Sequence, residues 1–192
     1  MTTQFQTQNL LPIQQPFQTA PWQYTGTEST ATPPPEAIDW VLIMTRDAAG
    51  TILHQAAGFI SATGELLNTD GTLGIPIKDA LNNYISIHPR GHLAVLSAQP
   101  YTGELYDFTI SDTTVKGLGQ LKQIADKYLL HAGDYDASGI INSTDFNNWK
   151  VQGAVINQYL PIDGDGNGIV NNKDYNLWIQ NRSKVGAPSI RY

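Results

Sequence analysis

The feature that most constrains this chain is a sixteen-residue segment that occurs twice. Residues 134–149 read DYDASGIINSTDFNNW and residues 163–178 read DGDGNGIVNNKDYNLW, an offset of 29. Eight of the sixteen positions are identical, and most others are similar, such as Ile141/Val170 and Phe146/Tyr175. A duplicated structural unit is the simple origin of such a pattern. Six carboxylates fall within 41 residues here: Asp134, Asp136, Asp145, Asp163, Asp165 and Asp174. An isolated cluster of that kind repels itself and asks for a cation.

The spacing within each copy says which cation. Counted from the first Asp, positions 1, 3 and 5 are Asp134, Asp136, Ser138 and Asp163, Asp165, Asn167. Position 6 is Gly139 or Gly168, where a sharp reversal requires positive φ. Position 7 offers the backbone carbonyl of Ile140 or Ile169, position 9 is Asn142 or Asn171, and position 12 is Asp145 or Asp174. This is the spacing of a twelve-residue EF-hand-type loop, in which short side chains at alternate positions wrap a hard ion that takes six to eight oxygens. Two Ca²⁺ are therefore expected. Zinc and copper lack the His and Cys they prefer, and magnesium rarely occupies an all-protein cage. Three carboxylates per site correspond to an affinity of about 10⁻⁶–10⁻³ M. A helix is expected after each loop, with Trp149 and Trp178 four residues beyond the last ligand, on the neighbouring turn.

Duplicated loops with Asp at position 12, each followed by a short helix, resemble the dockerin family. The resemblance lies within residues 131–182, about a quarter of the chain. It implies the twelve calcium ligands just named, and partner recognition by a cohesin-like module through positions 10 and 11. Those are Ser143-Thr144 in the first loop, a pair that suits a dockerin, and Asn172-Lys173 in the second, which differs. The preceding region, with Asp39-Trp40-Val41-Leu42 and the run Tyr84–Leu96, is similar to β modules before dockerin-like tails in large secreted bacterial surface proteins. That similarity implies an immunoglobulin- or transthyretin-like sandwich and an extracellular or cell-surface location. The chain is much shorter than such proteins, which implies a free-standing subunit.

Residues 36–130 read as β. Runs rich in Val, Ile, Tyr, Phe and Thr cover Ile38–Arg46, Thr51–Ile60, Leu73–Ile77, Tyr84–His88, His92–Ser97 and Glu104–Ile110. Turn signals such as Ala49-Gly50, Asp70-Gly71 and Pro89-Arg90-Gly91 separate them, as in an antiparallel sandwich. Residues 116–130 are ambiguous: Leu118, Leu121, Ile124, Ala125 and Tyr128 fit a helix, but Gly117 and Gly119 weaken it.

Residues 1–35 hold seven Gln, eight Thr and six Pro, and no Lys or Arg occurs before Arg46. This composition does not build a core of its own, and it lacks the basic and continuous apolar regions of a secretory signal. One reading is a disordered leader. The sharper one is an extended arm that adds as a strand to another copy, with Phe5, Leu10, Leu11, Ile13, Phe17, Trp22 and Tyr24 as anchors and prolines preventing a helix. Head-to-tail addition of this kind need not close and yields fibres.

Other function classes find little support. Net charge is −6 and the 11 basic residues are scattered, which argues against nucleic acid. No apolar run approaches the ~20 residues of a membrane span. Absence of cysteine excludes disulfides and thiolate metal sites. His88 and His92 cannot share a helix across Pro89 and Gly91, and His54 and His131 are isolated. No Ser sits in a nucleophile elbow, no phosphate loop occurs, and Glu65 with Glu104 makes a weak glycosidase pair. Trp22, Tyr24, Tyr101 and Tyr106 are candidates for stacking on sugars. Asn181-Arg182-Ser183 and Asp112-Thr113-Thr114 are candidate glycan attachment sites. The expected organisation is an arm over 1–35, a β-sandwich over 36–130, a dockerin-like two-calcium module over 131–182 and a tail over 183–192. The expected function is a non-catalytic, extracellular, calcium-stabilised structural subunit that self-associates through the arm. Alternatives are an anchoring module for a cohesin-like partner and a carbohydrate-binding sandwich.

Overall fold

The computed structural model describes residues 4–192. Its centre is β1 (Ala37–Arg46), all ten residues of which are buried. Alternation along β1 sends Trp40, Leu42 and Met44 to one face and Val41 and Ile43 to the other, so both faces need cover. The strand pairs antiparallel with β2 (Ile52–Ser61) on one side and β4 (Tyr84–Pro89) on the other. Two-residue strands β3 (Leu66–Leu67) and β5 (Val95–Leu96) complete a five-stranded sheet in the order β3-β2-β1-β4-β5. The β1–β2 turn is held by Asp47, whose Oδ1 accepts from Ala49 N at 2.9 Å and Thr51 N at 2.8 Å.

The Val41/Ile43 face is covered by Ile75, Ile77, Phe108, Val115 and a separate hairpin of β6 (Leu121–Ile124) and β7 (Lys127–Leu130). This cover departs from the expected sandwich in three places. The hairpin replaces the candidate helix over 116–130: Leu121, Tyr128 and Leu130 reach the core while Ile124 is exposed. Leu73–Ile77 is not a strand beyond the single bridge Leu67–Leu73, because Gly74 turns the backbone at φ +90° and Pro76 has no N–H for a ladder. Glu104–Ile110 is a turn, since Asp107 Oδ1 accepts from both Thr109 N and Thr109 Oγ1 at 2.7 Å and curls the chain. The mainly β class holds, but the second layer is a hairpin and packed loops rather than a second full sheet.

The Trp40/Leu42/Met44 face is covered by the N-terminal segment of the same chain. Residues 1–3 of the expected arm lie outside the described residues. A single helical turn, α1 (Gln4–Thr7), leads into an irregular hairpin in which Gln15 N donates to Glu28 O at 3.0 Å and Thr30 N to Ile13 O at 2.8 Å. Phe5, Leu11, Phe17 and Tyr24 are buried against Trp40, Met44 and Phe59, with Leu10 and Trp22 packed beside them. Trp40 Nε1 donates to Pro12 O at 2.8 Å, and Glu28 accepts from Ala57 N at 3.2 Å and from the Tyr24 hydroxyl. The arm expectation is corrected here. Six of the seven anchors pack on this chain's own sheet and only Ile13, 63 % exposed, stays outside. Each buried aromatic or leucine contributes about 1.5–3 kcal/mol by leaving water, so the low charge of the segment serves intramolecular burial.

Residues 131–192 dock on the same body. Leu93 N donates to His131 O at 2.8 Å and Gly133 N to Gly91 O at 2.9 Å. The C-terminal tail returns to the sheet: Ala187 and Ile190 pack on Ala94 and Leu96, and Arg46 Nη1 donates to Ser189 O at 3.1 Å. The expected four segments therefore share cores rather than standing apart.

Candidate metal centre

Each repeated segment folds as a loop followed by a helix: α2 (Ser143–Val151) and α3 (Asn172–Asn181). Position 9 starts the helix. Asn142 Oδ1 accepts from Thr144 N at 2.7 Å and Asn171 Oδ1 from Lys173 N at 2.8 Å, as N-caps. The position-12 Asp closes a capping box, with Asn142 N donating to Asp145 Oδ2 and Asn171 N to Asp174 Oδ2, both at 2.8 Å. One side chain thus starts the helix and faces the loop.

The carboxylates converge as the spacing predicts. Oxygens of Asp134, Asp136 and Asp145 lie within 4.8 Å of one another, and so do those of Asp163, Asp165 and Asp174. Asp134, Asp145, Asp163 and Asp174 are buried. The loops are held open for them by backbone donors. Gly139 N donates to Asp134 Oδ2 at 3.0 Å and Gly168 N to Asp163 Oδ2 at 2.6 Å. Both glycines sit near φ +80°, the region that favours glycine. Asp145 Oδ1 accepts from Tyr135 N at 2.7 Å and Asp136 N at 3.2 Å. The other oxygen-bearing residues lie in the loops as expected but bond locally. Ser138 Oγ donates to Ile140 O at 3.3 Å, and Asn167 Oδ1 accepts from Ile169 N at 2.8 Å. Asn142 Nδ2 donates to Ile140 O at 3.2 Å and Asn171 Nδ2 to Ile169 O at 3.1 Å, so each position-7 carbonyl is held by the position-9 side chain.

The electrostatics are those of a site that needs positive charge. Burial, then the Asp145 carboxylate, pushes Asp134 up to about 8. Burial pushes Asp145 and Asp163 up to about 6 and raises Asp174. Asp134 Oδ1 is buried with no hydrogen-bond partner. A buried carboxylate oxygen without a donor is costly, and a cation removes that cost. The donor set of hard carboxylate and carbonyl oxygens fits Ca²⁺.

The two units are related by an exchange. Ile140 bridges to Val185, after α3, and Ile169 bridges to Ile156, after α2. Adding the repeat offset of 29 to Ile140 and Ile156 gives Ile169 and Val185, the same bridge with partners exchanged. Phe146, Trp149, Tyr175 and Trp178 form one ring cluster between the helices, with centroids of adjacent pairs 5.1–6.0 Å apart. Position 2 breaks the symmetry. Tyr135 is buried and donates its hydroxyl to Asp174 O at 2.7 Å, over Gly164, where an added Cβ would lie 3.0 Å from that hydroxyl. Ser143, Thr144, Asn172 and Lys173 are exposed, on the first turns of α2 and α3.

The remaining candidates separate. Asn181 is buried, its Nδ2 donating to Ala132 O at 2.8 Å, so a glycan at this position is not accommodated. Trp22 and Tyr24 belong to the core cluster under the arm rather than to a sugar-facing surface. Sequence reasoning missed a buried group at the junction. Arg90 contacts Asp39 at 3.3 Å, its guanidinium lies 3.3 Å from the Tyr159 ring centroid, and the Tyr159 hydroxyl donates to Asp39. These residues come from the β-region and from between the two loops, and no local spacing links them.

No family model matches the chain, and no curated protein matches it. Among solved structures, a crystal structure of an N-terminal interface mutant of a type II cohesin–X–dockerin complex from Acetivibrio cellulolyticus is similar at 16 % identity, covering 76 % of this chain and 81 % of that chain with a TM-score of 0.43. A C-terminal interface mutant of the type II complex from the same organism is similar at 19 % identity, covering 74 % and 81 %, with a TM-score of 0.39. With TM-scores below 0.5, neither likeness assigns a partner or a fold to this chain.

Proposed function

We propose that this chain is a non-catalytic, calcium-stabilised interaction module of extracellular proteins. One observation carries the reading: two carboxylate triads, related by the repeat and each with two buried members, converge at helix starts, and one of them contains an oxygen with no partner. Asp134, Asp136 and Asp145 with the Ile140 carbonyl would hold one Ca²⁺, and Asp163, Asp165 and Asp174 with the Ile169 carbonyl the other. Ser138, Asn142, Asn167 and Asn171 complete the loops, directly or by fixing the backbone. When bound, the ion neutralises the carboxylates and ties each loop to its helix, which stabilises a body that has no disulfide. The partner-facing surface is the exposed first turn of α2, Ser143-Thr144, with a cohesin-like module as the partner that the dockerin resemblance implies. Self-association through the N-terminal segment loses its support, because six of the seven anchors pack on their own chain.

The test is isothermal titration of the full chain with Ca²⁺. Two ions per chain are expected, and one in Asp134→Ala or Asp163→Ala. No binding at millimolar Ca²⁺ refutes the reading.

A further inference from the structure

Each end of the described chain lies over the position-6 glycine of one loop. At the first loop, Gly186 N donates to Gly139 O at 2.8 Å and Tyr192 N to Ser138 O at 3.3 Å, and a Cβ on Gly139 would lie 3.1 Å from Arg191 Cα. At the second, Gln8 Nε2 donates to Asn167 O at 3.4 Å. A Cβ on Gly168 would lie 3.1 Å from Leu10 Cδ1, and one on Gly166 3.6 Å from the Phe5 ring. Phe5 also meets Tyr159, just before the second loop, edge-on at 5.2 Å.

The 166–168 turn is therefore both the wall of a metal loop and the seat of the N-terminal segment. Its shape is set by the carboxylates. Asn167 N donates to Asp163 Oδ1 and Asp165 Oδ1, each at 3.1 Å, and Gly168 N to Asp163. Without a cation those carboxylates repel one another, and the acceptors that define the turn are no longer drawn together. The segment seated on it joins the sheet through Phe5, Leu10 and Leu11 in the core and through Pro12 at the Trp40 indole, so Phe5 and Leu10 lie between the sheet and this turn.

We propose that the second loop is a cation-operated latch for residues 4–12. Loading fixes the 166–168 turn and seats Phe5, Gln8 and Leu10; loss of the ion frees the segment and uncovers the adjoining part of the Trp40 face. The latch rests on the calcium reading given above. Linkage makes it reciprocal: whatever loosens the segment weakens Ca²⁺ at the second loop and leaves the first unchanged.

The experiment is hydrogen exchange of the full chain, read on peptides covering 4–12, alongside calcium titration. In wild type, chelator should speed exchange in this segment at least tenfold relative to saturating Ca²⁺. Asp163→Ala/Asp165→Ala should exchange fast even in Ca²⁺, and Asp134→Ala/Asp136→Ala should stay protected in Ca²⁺. A second variant guards against misfolding: Gln8→Ala/Leu10→Ala should weaken one of the two ions at least fivefold and spare the other. If two ions bind and exchange of 4–12 is the same in Ca²⁺ and chelator, or the Gln8/Leu10 variant binds both ions as wild type does, the latch is refuted while the calcium reading stands. If no Ca²⁺ binds, both fall.

Discussion

Trp178 donates its indole N–H to the carbonyl oxygen of Asn142 at 2.8 Å, so the second helix caps the start of the first. Trp149 returns the bond to Asn171 at 3.1 Å. Each Trp holds the other unit's N-cap residue. Trp178→Phe keeps the ring and removes the donor, leaving the Asn142 carbonyl short of a partner. A loss of about 1–2 kcal/mol is expected in urea unfolding, and a similar loss for Trp149→Phe. A clear loss for one and none for the other contradicts the exchange relation.

Calcium should stabilise the fold by mass action. At free Ca²⁺ about a hundredfold above the dissociation constant, each site adds about 2.7 kcal/mol if the unfolded chain does not bind. Thermal unfolding should therefore rise with Ca²⁺ and fall on chelation, and Asp163→Ala should remove about half of that response. A melting temperature indifferent to Ca²⁺ contradicts a structural role.

The loops were legible because their logic is local: ligand spacing, a glycine with positive φ and a cap fit within twelve residues. The exchange of partners was half legible, since the Trp positions repeat but what they bond lies 22 and 36 residues away. The β strands Ala37–Arg46, Ile52–Ser61 and Tyr84–Pro89 were readable from β-branched runs. The hairpin over 121–130 was not, because Leu118, Leu121, Ile124, Ala125 and Tyr128 also satisfy helical spacing. The arm's anchors were visible as apolar residues in a polar stretch, but composition does not say whose sheet they cover. That depended on Trp40, Met44 and Phe59 presenting an uncovered face, a tertiary fact.

Gly91 lies where the β-region meets the loop region. Its φ is +64°, and an added Cβ would run into the Pro161 carbonyl, a backbone atom without freedom to turn aside. Gly91→Ala should cost about 2–4 kcal/mol from the left-handed backbone and the displaced junction together. Gly74→Ala, at φ +90° with nothing near its Cβ, carries only the backbone part and should cost about 1–2 kcal/mol. Equal losses in chemical denaturation would mean that the junction is not tight.

Arg90 and Asp39 are both buried, and Tyr159 completes their polar contacts. Removing one charge strands the other, so Arg90→Leu should cost about 3–5 kcal/mol, whereas Arg90→Leu with Asp39→Leu should recover part of it. A double variant worse than the single one would show that the ion pair is not the dominant cost.

Two histidines should set acid stability. Burial, then the nearby Arg46 guanidinium, lowers His88 to about 3, and burial lowers His92 to about 4. His88 Nε2 sits 2.9 Å from Ser86 Oγ, which also takes the Arg46 Nε–H at 3.1 Å. A proton on His88 would place a second cation in that group. In the unfolded chain both imidazoles titrate near their usual 6.5. Between that value and their folded values the unfolded state binds more protons, so stability falls as pH falls, by up to about 1.4 kcal/mol per pH unit for each histidine. The loop carboxylates, raised in the metal-free fold, act with the opposite sign. They are common to wild type and variant and cancel in the difference. Comparing wild type with His88→Gln in chelator, the gap in unfolding free energy should narrow steadily from pH 6.5 to pH 4. A gap constant with pH would place the His88 proton in the folded protein and refute its burial as a neutral ring.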